Sequence, residues 1–155
     1  MRIVKQLLPL CILLSLCTPL RAAGGGLDKS VILDSQAITQ LEQRAEQANP
    51  REQCFLYTEL VSAMTEVAGK EMMDGDTDRA SATLKKISKY AELIHTNLSH
   101  DTKRLKNAEM LMHRATFRLN EYLHQASSED RPTLQATLKQ LNQVHTELLA
   151  QVFNH

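Results

Sequence analysis

Two short stretches of the chain set a carboxylate three residues before an imidazole: Glu92 and His95 in ELIH, and Glu121 and His124 in EYLH. On a helix that spacing brings both side chains to one side. Two such turns are half of the ligand set of a dinuclear metal centre in a helical bundle, the rest being a bridging glutamate from each of two further helices. The chemistry works only if every ligand converges on the bundle interior. What decides it is which way the elements carrying these residues face.

Helical periodicity runs through everything after Asp34. Apolar residues recur at intervals of three and four, and the pattern predicts an all-α, antiparallel bundle of four to five helices over about 35–48, 51–73, 77–98, 102–127 and 132–153. Asp34 or Ser35 is the expected N-cap of the first helix, and Asn49-Pro50 ends it. Gly75 within MDGDTD closes the second, and SSEDRP opens the last with Pro132 in its first turn. Leu98 and Leu105 are seven residues apart, so the apolar phase crosses Asn97 to Asp101 unbroken. That segment is either a tight turn rich in capping residues or the middle of one helix over 77–127; helices that long are rare in compact domains, which favours the turn.

At 100° per residue, Glu92 and His95 fall about 120° and 60° from the centre of their helix's apolar stripe, while Glu121 and His124 fall about 140° and 160° from theirs. The two turns are therefore expected on solvated surfaces, and neither a metal nor any other cofactor is expected. The side of the fourth helix that carries His113 and His124 also carries Met110 and Phe117, with Leu123 at its margin. An apolar strip opposite a core stripe is either a second packing surface within the domain or a contact surface for a partner. His145 differs from the other histidines because it sits inside the last helix's stripe, between Leu141 and Leu148. It reads as a ligand or general base, or as a boundary histidine hydrogen-bonded to a carbonyl or carboxylate.

The first residues have the order of a secretory signal peptide: MRIVKQ is basic, LLPLCILLSLCTPL is apolar, and RAAGGG is small. The expected organisation is a leader over 1–23, a flexible arm over 24–33 and a helical domain over 34–155. Export to the periplasm or beyond follows, with no membrane span in the remaining chain. Two of the three cysteines leave with the leader, so Cys54 has no internal partner, and its place on an apolar helix side favours a buried hydrophobe. What remains holds 15 basic and 18 acidic residues, and nucleic acid is not an expected partner. From Leu27 to Asp78 there are 11 acidic and 4 basic residues, from Arg79 to Arg118 there are 3 and 9. An acidic first part and a basic middle favour each other as neighbours. With glycine confined to the leader, Gly69 and Gly75, no phosphate-cradling loop can be placed. Asn97-Leu98-Ser99 fits the glycosylation acceptor pattern.

Around Gly75 the chain resembles a single tetratricopeptide-like helical hairpin. Met64, Val67, Ala68, Ala80, Leu84 and Ile87 fall at the positions where that repeat brings two helices together, although Glu71 stands for an aromatic, Ile87 for a small residue, and the closing proline is absent. The resemblance implies a close hairpin between the second and third helices. In REQCFLYTELV, ATLKKI and DTKRLKNAEMLM the chain is similar to uncharacterised secreted helical proteins of bacteria, which implies export and supplies no site residues. The reading as a whole is a non-enzymatic interaction or structural module. It would engage a protein partner or a second copy through Met110, Phe117 and Leu123. The alternative is a metal-binding bundle using Glu92, His95, Glu121 and His124.

Overall fold

The structure is a computed structural model and describes residues 35–98 and 102–154. Five helices account for nearly all of these residues: α1 (Ser35–Gln47), α2 (Pro50–Met73), α3 (Thr77–Asn97), α4 (Leu105–Gln125) and α5 (Arg131–Asn154). The leader over 1–23, the arm over 24–33 and the proposed cap Asp34 lie outside the described residues. No described helix is long and apolar enough to cross a membrane.

Local chemistry sets most of the helix ends. Asn49 is extended, as a residue before proline must be, and its side chain accepts a hydrogen bond from the Arg51 N–H while Pro50 begins α2. At the other end of α2, Gly75 takes φ 76°, its N–H donates to Met72 O, and Asp76 N–H donates to Glu71 O. Those two bonds make a Schellman close, in which the left-handed residue is nearly always glycine. Asp76 then accepts from Arg79 N–H at the start of α3. Ahead of α5, Ser127 and Asp130 bond reciprocally: Asp130 N–H donates to Ser127 Oγ, and Ser127 Oγ–H donates to Asp130 Oδ2.

The α3–α4 connection has a tertiary cause. Lys103 N–H donates to Arg51 O at 2.8 Å, and Lys103 Nζ lies 3.4 Å from Glu52, so the chain is tied to the first turn of α2. Arg104 holds a left-handed backbone at φ 60° and lays its guanidinium 3.5 Å from the centroid of the Phe55 ring. The chain is thus non-helical on both sides of residues 99–101, which themselves lie outside the described residues. The single long helix over 77–127 is not formed.

Four helices pack as a square. α2 touches α3 and α4, α5 touches the same two, and the diagonal pairs do not meet; α1 lies against α2. Within the first hairpin, Glu71 meets Thr83 and Tyr57 stacks on Tyr90, so contacts run in opposite order along α2 and α3. Between hairpins the order is the same. Glu52 meets Lys103 and Glu66 meets Arg118, while Ser88 meets Thr137 and His95 meets Glu147. α2 and α4 are therefore parallel neighbours, as are α3 and α5, while α2 and α3, consecutive in the chain, run antiparallel.

Leu60, Leu84, Ile87, Ile94, Met112, Leu119, Leu134, Leu141 and Leu148 are fully buried between the four helices. α2 has three neighbours and is buried nearly all round, which explains its wide apolar stripe. Thr58 and Thr65 lie on it with no solvent exposure, and each turns its hydroxyl to the carbonyl four residues back, so neither donor is stranded. Cys54 is fully buried beside Thr58. Its thiol is pushed up to about 12 by burial, against a smaller opposite effect of a hydrogen bond with Thr102.

Candidate functional site

α4 carries two surfaces of different kinds. Its core side presents Ala108, Met112, Ala115, Leu119 and Tyr122, all buried. On the side away from the bundle, Met110 is 56% exposed and Phe117 is 58% exposed. Between them stand His113 and Arg114, also exposed. Together with Glu109 these residues line a shallow, open groove whose walls all come from α4. A groove with one helix for its wall offers a strip to lie along and no enclosure for a small ligand.

Beside the groove, α5 supplies His145. Its Nε2 lies 3.0 Å from Glu109 Oε1, and its ring centroid is 5.3 Å from that of His113. The histidine inside the α5 stripe thus has the carboxylate partner that its half-buried position demands, supplied from 36 residues away. On the other flank of α4, Arg118 donates through Nε and Nη2 to Glu66, through Nη1 to Glu121 at 2.8 Å, and through Nη2 to the Tyr122 hydroxyl. Tyr122 O–H donates to Glu66 Oε2 at 3.0 Å. Burial tends to raise the Glu66 carboxyl, but the hydrogen bonds from Arg118 and Tyr122 outweigh it and hold the group below the usual glutamate value. Burial and the Glu66 contact push the Tyr122 phenol up to about 12. The Tyr122 ring fits because residue 69 is glycine: a Cβ there would stand 2.1 Å from the ring.

The residues singled out by their chemistry are not brought together. Glu92 and His95 lie near the end of α3, where His95 Nδ1 is 2.6 Å from Glu147 on α5. Glu121 and His124 lie at the end of α4, level with the far half of α2, where Glu66 and Gly69 meet Arg118 and Tyr122. α3 and α4 are diagonal in the square and do not touch, so the two turns, each at the C-terminal end of its helix, lie at opposite ends of the bundle. Among the described residues no group of three or more histidine, cysteine, aspartate or glutamate side chains is arranged to hold a metal ion.

No family model, curated protein or solved structure matches the chain.

Of the expected contact residues, Met110 and Phe117 share the exposed strip, whereas Leu123 packs against the core. The reason is angular: Leu123 lies about 130° round the helix from the line joining the other two. Asn97 is buried and its Nδ2 donates to Leu93 O at 2.7 Å, which ties up the atom that a glycan would join. The acidic–basic complementarity along the chain takes the form of Arg79–Glu71, Lys103–Glu52 and Arg118–Glu66 pairs around α2. Sequence reasoning missed the Gly69–Tyr122 contact and the Glu109–His145 pair. A glycine in mid-helix was the one local signal for the first, and the second had none on the α4 side.

Proposed function

We propose that the protein is an exported helical interaction module, with no catalytic role, that engages a protein partner through the outward face of α4. One observation carries this reading: Met110 and Phe117 stand exposed two turns apart on one strip, on a helix whose opposite side is wholly buried. Single exposed apolar residues are ordinary, but two aligned on one strip with charged residues around them are the pattern of a contact surface. Met and Phe are also enriched at the centres of protein interfaces. Export is supported by the basic, apolar and small-residue order of the first 26 residues.

A photo-crosslinking amino acid placed at Phe117, in cells that make the protein, tests the reading. A covalent protein adduct from position 117, absent when the same group replaces the exposed Lys86 on α3, supports it. No adduct from position 117 contradicts it.

A further inference from the structure

We propose that the partner is a second copy of this chain, docked with its own α4 face antiparallel to the first about a two-fold axis between His113 and Arg114. The proposal rests on the contact-surface reading above and names its occupant.

At 100° per residue, Lys106, Met110, His113, Arg114, Phe117 and Glu121 all fall within about 50° of one line along α4. Turning the helix end for end about the midpoint of His113 and Arg114 lays Met110 on Phe117 and Lys106 on Glu121. Apolar thus meets apolar and a cation meets an anion, twice each, because a two-fold interface makes every contact in duplicate. A parallel pairing would instead set lysine level with lysine and glutamate level with glutamate, which is repulsive at both ends. Lys106 is exposed, and Glu121 uses Oε2 to accept from Arg118. Arg114 approaches its symmetry mate beside the axis, the one like-charge contact, at an edge of the seam where the guanidinium groups stay hydrated. Among the described helices only α2 and α5 pack against α4, on its other sides. One helix from each copy makes an interface at the small end of the specific range, so association is expected to be weak and to show at concentrations on the order of 100 µM.

Sedimentation velocity on the full chain decides it, using Lys106→Glu and Glu121→Lys alone and mixed. Both residues lie on the helix surface, and unchanged circular dichroism checks that each variant folds. In a self-pair of either variant, like charges face each other at both ends, and roughly tenfold weaker association than the wild type is expected. In the mixed pair every lysine again faces a glutamate. An equimolar mixture that recovers the wild-type affinity supports the proposal. A mixture no stronger than the separate variants, or a wild-type chain monomeric at roughly 200 µM, overturns it. If the wild type is monomeric while a crosslinker at position 117 still traps a different protein, self-pairing falls and the contact-surface reading stands. If that crosslinker also traps nothing, both fall.

Discussion

The seam between α2 and α4 and the outward face of α4 draw on the same kinds of residue, arginine, glutamate and one aromatic ring, with opposite outcomes. In the seam, Arg118 and Tyr122 close on Glu66, and the Tyr122 ring fills the space that Gly69 leaves. On the outward face, Phe117 and Met110 remain more than half exposed, with Arg114 between them. Helix position, not residue type, separates the two. A residue one place along α4 turns about 100°, which carries Phe117 away from the bundle and Arg118 toward α2.

The strongest way to break this comparison is to truncate neighbouring apolar residues on the two sides. Leu119→Ala opens a cavity in the fully buried core and is expected to lower stability by about 3 kcal/mol, read as a lower urea midpoint. Phe117→Ala, two residues away, is expected to change stability by no more than about 0.5 kcal/mol. Comparable losses at the two positions would contradict the assignment of faces.

Next in size is Gly69→Ala. A methyl group there meets the Tyr122 ring, and the expected net cost is about 2 kcal/mol despite alanine's better helix propensity. Combining it with Tyr122→Leu should cost less than the sum of the two single changes, because both act on one space. Strict additivity would contradict the contact between residue 69 and the Tyr122 ring.

Arg118→Met tests the polar part of the seam, and a loss of about 1 kcal/mol near neutral pH is expected for a partly exposed network of charged hydrogen bonds. Its pH dependence has a definite sign. The Glu66 carboxyl is held below its ordinary value of 4.5, so its contribution to stability is present above that value and disappears as pH falls through the lower, folded one. The difference between wild type and Arg118→Met should therefore shrink in acid. A difference that grows below pH 4.5 would contradict the pairing. The smallest effect concerns Cys54: with its thiol raised to about 12 and fully buried, alkylation at neutral pH should proceed at the rate of global unfolding.

Much of the fold was legible because its punctuation is local. Asn49-Pro50, Gly75 and the Ser127–Asp130 pair each act within a few residues, and the helix limits follow them closely. Where α3 ends is a different matter. The apolar phase is continuous from Leu98 to Leu105, and the break is enforced by the bond from Lys103 to Arg51, about fifty residues away along the chain. The parallel pairing of α2 with α4 was likewise unreadable, since a one-dimensional pattern tells which side of a helix is buried and not which helix buries it. The candidate site divides in the same way. Met110 and Phe117 could be placed on one strip by angle alone, while Leu123, about 130° round the helix from them, packs against the core. That His145 would find Glu109 was beyond any local spacing.

Disulfide formation from a single introduced thiol tests the central claim, that the outward face of α4 meets its own copy, most directly. In the antiparallel pair two copies of residue 114 flank the two-fold axis, and at an interaxial distance of about 9 Å their Cα atoms come within disulfide reach, roughly 6 Å apart. The two copies of residue 106 are then about 22 Å apart along the helices. With Cys11 and Cys17 replaced by serine and Cys54 shut in the core, mild oxidation of Arg114→Cys should give a covalent dimer and that of Lys106→Cys should not. Equal yields from both positions, or none from residue 114, would contradict it.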